Sequence, residues 1–236
     1  MLEIALGASY EKPEEISVDR GYIKKNDAYP EKMFSEDLAA IENPIEDVIL
    51  DTLSNRMKNG QSYTFIGDIL LSLNSNDLAT HYDRSVSHPF SNKFTLKLLY
   101  SNFLKQFHEK YRFKSRSENA PHIFSVSDLA YQDMMHHKEP QHVIFSGESY
   151  SGKSTNAQLF IKHLSFLGGG NKGATDRVEN AIQAILMMTN AGTPLNNDST
   201  RCSIQYHLTF GTTGKMSGCI FLLNMLEKMR VSTTDM

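Results

Sequence analysis

Eight consecutive residues carry the chemistry most easily read from this sequence. Gly147, Glu148, Ser149, Tyr150, Ser151, Gly152, Lys153 and Ser154 follow the pattern G-x-x-x-x-G-K-[ST], in which backbone N–H groups converge on phosphate oxygens. Gly147 and Gly152 free the backbone for that turn, Lys153 offers a long cation to the β- and γ-phosphates, and Ser154 offers a hydroxyl to Mg²⁺. Val143, Ile144 and Phe145 just upstream read as a short strand. A helix opening near Lys153 adds the positive end of its dipole. The chemistry is the binding of a nucleoside triphosphate with Mg²⁺, and the strand–loop–helix context outweighs a chance match in a glycine-containing turn. Binding alone does not imply hydrolysis, which also needs a second anionic anchor and a group that positions water.

Other reactive residue types carry less. Asp68 is the one acid set in a strongly apolar upstream run, "IGDILL", where a turn role is favoured over a metal role. His136, His137 and His142 invite a metal reading, yet adjacent histidines on a helix face different directions and no carboxylate has matching spacing. The pairs Met134–Met135 and Met187–Met188 read as core filler. Cys202 and Cys219 fit no metal spacing and are too few for a disulfide framework, so they read as reduced thiols in a cytosolic compartment.

These residues must be positioned by a globular chain. The sequence has 236 residues, 40% hydrophobic and 22% charged, with a formal net charge of -3. No basic field points to nucleic acid, and the longest apolar run is too short to span a membrane. Residues 1–33 read as a linker or tail. Beyond them, Ser35 is expected to cap a helix pair interrupted at Pro44 and stopped at Gly60. "SYTFIGDILLSLN" reads as a buried strand bent near Gly67, "NKFTLKLLYSNFLKQFHEKYRF" as a helix, and Ser127 as the cap of a helix ending before Pro140. "DRVENAIQAILMMTNAG" sets Val178, Ile182, Ile185, Leu186 and Met188 on one face with a stop at Gly192. Ile204, Tyr206, Leu208 and Phe210 alternate with polar residues before a glycine-rich turn and a second apolar run, which predicts an antiparallel hairpin. The pattern is α/β.

Five segments in order carry a resemblance: "YTFIGDILLSLN", "PHIFSVSDLAYQDM", "GESYSGKSTNAQ", "NNDSTR" and "FLLNMLEKMRVSTTD". The chain from about Phe34 to Asp235 resembles the myosin motor head. Within that family, "HHKEPQH" and "NAGTPLNNDSTRC" are most similar to arthropod class III myosins of photoreceptors, which join a kinase domain to a motor. No kinase signature such as H-R-D or D-F-G is present. The resemblance implies a P-loop NTPase fold with a mixed central sheet flanked by helices, the motor portion running over 34–236. It also implies ATP and Mg²⁺ as ligands, and actin filaments and calmodulin as partners of a full-length parent at the cytoskeleton, in the photoreceptor rhabdomere for the class III form.

Carried over by position, the resemblance has Asn74 and Tyr82 meet the adenine. The nucleotide-binding set runs from Gly147 through Thr155, where Thr155 replaces the family's usual Glu. The family's switch I falls on Asn196, Asn197, Asp198, Ser199, Thr200, Arg201, Cys202, Ser203 and Ile204. Asn196 would contact phosphate, Ser199 the γ-phosphate and attacking water, and Thr200 the Mg²⁺ ion alongside Ser154. Arg201 would pair with a switch II glutamate absent from this sequence.

Several positions depart from the family. Tyr150 and Ser151 replace Gly-Ala in the phosphate loop, Ser75 and Leu78 replace the adenine loop's proline and arginine, and residues 85–103 have no counterpart in ordinary heads. Asp198 is expected to bring a negative charge near phosphate. The isolated chain, without switch II, is expected to hold nucleotide without turnover, whereas the parent would be an actin-activated ATPase. Two rivals stay open: a small-molecule or nucleotide kinase, disfavoured because the loop sits far from the amino terminus, and a non-motor nucleotide-binding scaffold.

Overall fold

The computed structural model describes residues 35–42, 44–74, 105–169, 172–194 and 196–231. Tyr82, the tail over 1–33 and the segment 85–103 lie outside the described residues.

Helix α1 (Glu46–Lys58) begins after Pro44 and the extended N-cap Ile45, with Glu46 and Asp47 in its first turn and Arg56 and Lys58 in its last, both complementing the helix dipole. The expected helix pair is corrected here. Among the described residues upstream of Pro44 the helical element is a 3-10 turn, Leu38–Ala40, capped by Asp37 rather than Ser35. "SYTFIGDILLSLN" is likewise two strands rather than one. Strand β1 (Tyr63–Ile66) pairs antiparallel with β2 (Ile69–Ser72) in the register Tyr63↔Ser72 to Ile66↔Ile69. Gly67, at φ +56°, takes the left-handed conformation that a two-residue hairpin turn demands. Asp68 beside it is exposed, with Arg116 Nη1 at 3.6 Å, and sits in the turn between the two strands.

A helix over 105–111, α2, leads to α3 (Ile123–His137). The cap of α3 is His122, whose ring Nδ1 accepts from the Phe124 N–H at 3.0 Å. Ser127 is inside the helix and buried, and its hydroxyl donates to Phe160 O at 3.0 Å, tying α3 to the next helix. The helix ends at Lys138, in the left-handed region at φ +60°, before Pro140 as expected.

Helix α4 (Lys153–Leu167) is enclosed over most of its length, with Ala157, Leu159, Phe160, Ile161 and Leu164 buried. Helix α5 (Lys172–Thr189) buries Val178, Ile182 and Leu186 at fourfold spacing. Met187 and Met188 are 82% and 70% exposed, so this pair does not fill the core. Gly192 is not a stop but part of strand β3 (Asn190–Thr193), which pairs with β4 (Asn196–Thr200). The expected hairpin is present as β5 (Ser203–Phe210) and β6 (Met216–Asn224). Its turn docks on α3, where Tyr131 Oη donates to Gly214 O at 2.9 Å.

The ladders among the described residues are therefore three separate antiparallel hairpins, and the mixed central sheet is not assembled from them. The segment 141–146 has no regular secondary structure but alternates in burial like a strand, with Val143 and Phe145 packed on the core and Ile144 87% exposed. It makes no ladder among these residues, and a parallel sheet requires one. Among the described residues no helix is long and apolar enough to cross a membrane.

Between α2 and α4 lies a seam of stacked rings. His108 and His163 face each other Nδ1 to Nδ1 at 2.8 Å, and Phe124 stacks on both with centroids 4.4 Å away. Burial pushes His163 far down, helped by His108 and His122, and burial with Lys162 nearby holds His108 down to about 4. Both folded-state values lie below the ordinary 6.5, so the unfolded chain binds protons more readily, and stability is lost as pH falls below 6.5. Acid unfolding between pH 6.5 and 4 should steepen by up to about 1.4 kcal/mol per pH unit for each histidine that charges only on unfolding. Urea melts across that range should show the slope in the natural chain and a flatter one in the His108→Phe, His163→Phe double variant; equal slopes would refute the assignment.

Candidate functional site

The loop between Phe145 and α4 is shaped by three left-handed residues. Gly147 has φ +150°, a conformation that residues with a Cβ rarely adopt, and a Cβ placed there would sit 2.7 Å from Ser151 Oγ and force that hydroxyl aside. Gly152, at φ +88°, is the residue from which α4 starts, and its carbonyl accepts from the Asn156 N–H at 2.9 Å. Tyr150 is at φ +71° with its ring half exposed, a conformation that disfavours any residue with a Cβ.

Two amides hold this backbone from below. Asn74, at the end of the β1–β2 hairpin, donates from Nδ2 to Tyr150 O at 2.6 Å. Asn156, buried in the first turns of α4, donates to Gly152 O at 3.0 Å and to Ser72 Oγ at 3.2 Å, and accepts from Tyr63 Oη at 2.7 Å. Sequence reasoning missed Asn156; the available signal was an asparagine in a helix interior, where its propensity is poor. Lys153 turns back over the loop, its Nζ donating to Gly147 O at 2.7 Å and Glu148 O at 2.5 Å. Thr155 is half-buried in the same first turn of α4.

The β3–β4 hairpin brings a second set of hydroxyls to this loop. Ser149 Oγ lies 3.2 Å from Ser199 Oγ, and Ser154 Oγ lies 3.2 Å from Thr200 Oγ1. Four of the residues selected from sequence are thus gathered in two pairs. Arg201 follows them, with Nη1 3.5 Å from Ser199 Oγ and Nε 2.5 Å from Glu227 Oε2. Glu227, just beyond β6, was not anticipated as its partner. Asn196 points its side chain into its own turn, Oδ1 accepting from the Asp198 N–H at 3.0 Å. Asp198 is also explained differently from the expectation, since its carboxylate accepts from Asn190 Nδ2 at 2.8 Å across the hairpin.

This donor set fits a magnesium nucleotide. Ser154 and Thr200 are paired neutral hydroxyls of the kind that ligate hard cations, Lys153 is a cation on the same loop, and Gly147 and Gly152 put no side chain at either end of it. The buried Ser151 Oγ has no partner among the described residues, leaving one further polar atom in the loop for a ligand or water.

Comparison with known proteins accords with this geometry. The sequence profile of the myosin head (motor domain) family matches residues 35–235. The chain belongs to the myosin motor-domain family. It is 60% identical over 237 aligned positions to "Neither inactivation nor afterpotential protein C" of Drosophila melanogaster, which covers all of this chain and 14% of that protein. It is 33% identical to Myosin-IIIb of Mus musculus and 30% identical to Myosin-1 of Aspergillus niger, each over 83% of this chain and 14% of the relative. The chain thus spans about one seventh of the length of these curated relatives. The myosin head family in general binds ATP with Mg²⁺.

Within this motor-domain sequence, the tyrosine at a left-handed position of the loop is a local cost that glycine avoids. Tyr150→Gly should be neutral to stabilising by up to about 1 kcal/mol, and Tyr150→Val should cost about 1–2 kcal/mol, because a β-branched side chain is worst at positive φ. Urea unfolding of the two variants checks the opposite signs; a loss on placing glycine at this position would overturn the strain argument.

Proposed function

We propose that the loop Gly147–Ser154 and the segment Asn196–Arg201 form the Mg·ATP site of a class III-like, actin-based myosin motor. The observation that carries the reading is the approach of Ser154 and Thr200, whose hydroxyls come from distant parts of the chain to 3.2 Å. When bound, Mg²⁺ neutralises charge on the β- and γ-phosphate oxygens. Ser154 and Thr200 would hold the ion, Lys153 would supply the cation for the phosphates, and backbone N–H groups of the loop from Gly147 to Lys153 would line the cradle. Ser199, beside Ser149, would orient the γ-phosphate and water, and Arg201 would anchor that segment. Asn74 supports the loop and Asn196 shapes the turn that presents Ser199. The proposed motor portion is 34–236, with 1–33 as a tail. For the longer protein, actin filaments and calmodulin are the proposed partners, and the photoreceptor cytoskeleton the proposed location.

Lys153→Ala should weaken binding of a fluorescent ATP analogue with Mg²⁺ at least about tenfold, since it removes a charge-assisted contact to phosphate. Thr200→Val should bind equally with Mg²⁺ and with a chelator, whereas the natural chain should bind better with the metal. Unchanged affinity in Lys153→Ala would sink the site assignment.

A further inference from the structure

We infer that Glu227 is a positioning residue for the nucleotide site, acting through Arg201; this rests on the reading of Asn196–Arg201 as part of that site. Arg201 lies just before β5 and Glu227 just after β6, so the hairpin register Ser203↔Asn224 returns the two to each other. The contact is reciprocal. Glu227 donates its backbone N–H to Arg201 O at 2.9 Å, and its carboxylate takes the Arg201 Nε at 2.5 Å. A third bond, Arg201 N–H to Thr189 O at 3.1 Å, fixes the arginine backbone against the end of α5. From the guanidinium the contacts continue to Ser199 Oγ at 3.5 Å and from there to Ser149 Oγ of the phosphate loop at 3.2 Å. Glu227 thus sets the direction of the arginine, and the arginine sets the hydroxyl that faces the loop. The mouth of the β5–β6 hairpin and the nucleotide loop become one mechanical unit.

The side chains of Arg201 and Glu227 are 31% and 44% exposed, so the pair contributes little to global stability. That separates a positioning role from a folding role. On the full chain, Glu227→Gln should weaken binding of a fluorescent ATP analogue with Mg²⁺ about threefold to tenfold at low salt, with the unfolding midpoint unchanged. The loss should shrink as salt screens the pair, and Glu227→Asp, which keeps the charge, should recover part of it. The double variant Glu227→Gln, Arg201→Gln should bind no more than about twofold weaker than Arg201→Gln alone, because both changes break one linkage. Natural affinity in Glu227→Gln, losses that multiply in the double variant, or an unfolding midpoint that falls in step with affinity would each overturn the inference. Lys153→Ala measured alongside keeps the two readings apart: if it binds normally the nucleotide site itself is wrong, and if it fails to bind while Glu227→Gln is unaffected only the positioning role is wrong.

Discussion

Asn156 is the point on which the site's geometry turns. It is 5% exposed, and its amide oxygen and nitrogen are engaged with Tyr63, Ser72 and Gly152. An asparagine weakens a helix interior by competing with the backbone, so its presence here is accounted for by tertiary contacts. Those contacts join the β1–β2 hairpin, the start of α4 and the loop before it. They fix the rotation of α4 about its own axis, and with it the direction in which Lys153 and Ser154 project. Replacing the amide would remove the acceptor to which the buried Tyr63 hydroxyl donates, and losing a buried partner costs more than the bond itself stabilises, while Gly152 O would keep its bond from the Asn156 backbone N–H.

Behind that hub the structure separates a rigid support from a shaped rim. Helices α3 and α4 are bonded through Ser127 and packed with the rings of Phe124, Tyr131 and Phe160. The rim is the reverse, made of backbone groups and hydroxyls from the loop and from β4. Left-handed residues cluster there, at Gly147, Tyr150 and Gly152. Strain stored in a short loop is sustained only where the flanking elements are well anchored, and α4 is enclosed over most of its length.

Local rules carried the sequence reading where the determinants are local. The start of α4 at Lys153, the end of α3 before Pro140 and the β5–β6 hairpin all follow from glycine, proline and alternation patterns that act within a few residues. Failure came where a nonlocal contact decides. "SYTFIGDILLSLN" reads as continuous because both strands are apolar, and the antiparallel pairing of its halves across Gly67 divides it. Gly192 resembles a helix stop, yet the chain enters β3 because β4 is available to pair with it. Ser127 looks like a cap by type, but the carbonyl it satisfies belongs to Phe160 in another helix. At the site, the residue types of the loop were legible, whereas the partners of Arg201 and Asp198 were not, because Glu227 and Asn190 meet them only through hairpin register and packing.

The histidine seam carries a consequence for where one hydrogen atom resides. A short Nδ1 to Nδ1 approach at 2.8 Å demands that one ring bear hydrogen there and the other a lone pair. His163 Nε2 is buried with no partner among the described residues. A buried orphan acceptor is tolerated more readily than a buried orphan N–H, which puts the hydrogen on Nδ1 of His163 and the accepting lone pair on His108. The tautomer of a core histidine is thereby selected by what its far nitrogen lacks. That hydrogen sits against Phe124 and Phe166 with water held away, so its exchange with deuterium keeps time with the parting of α2 from α4.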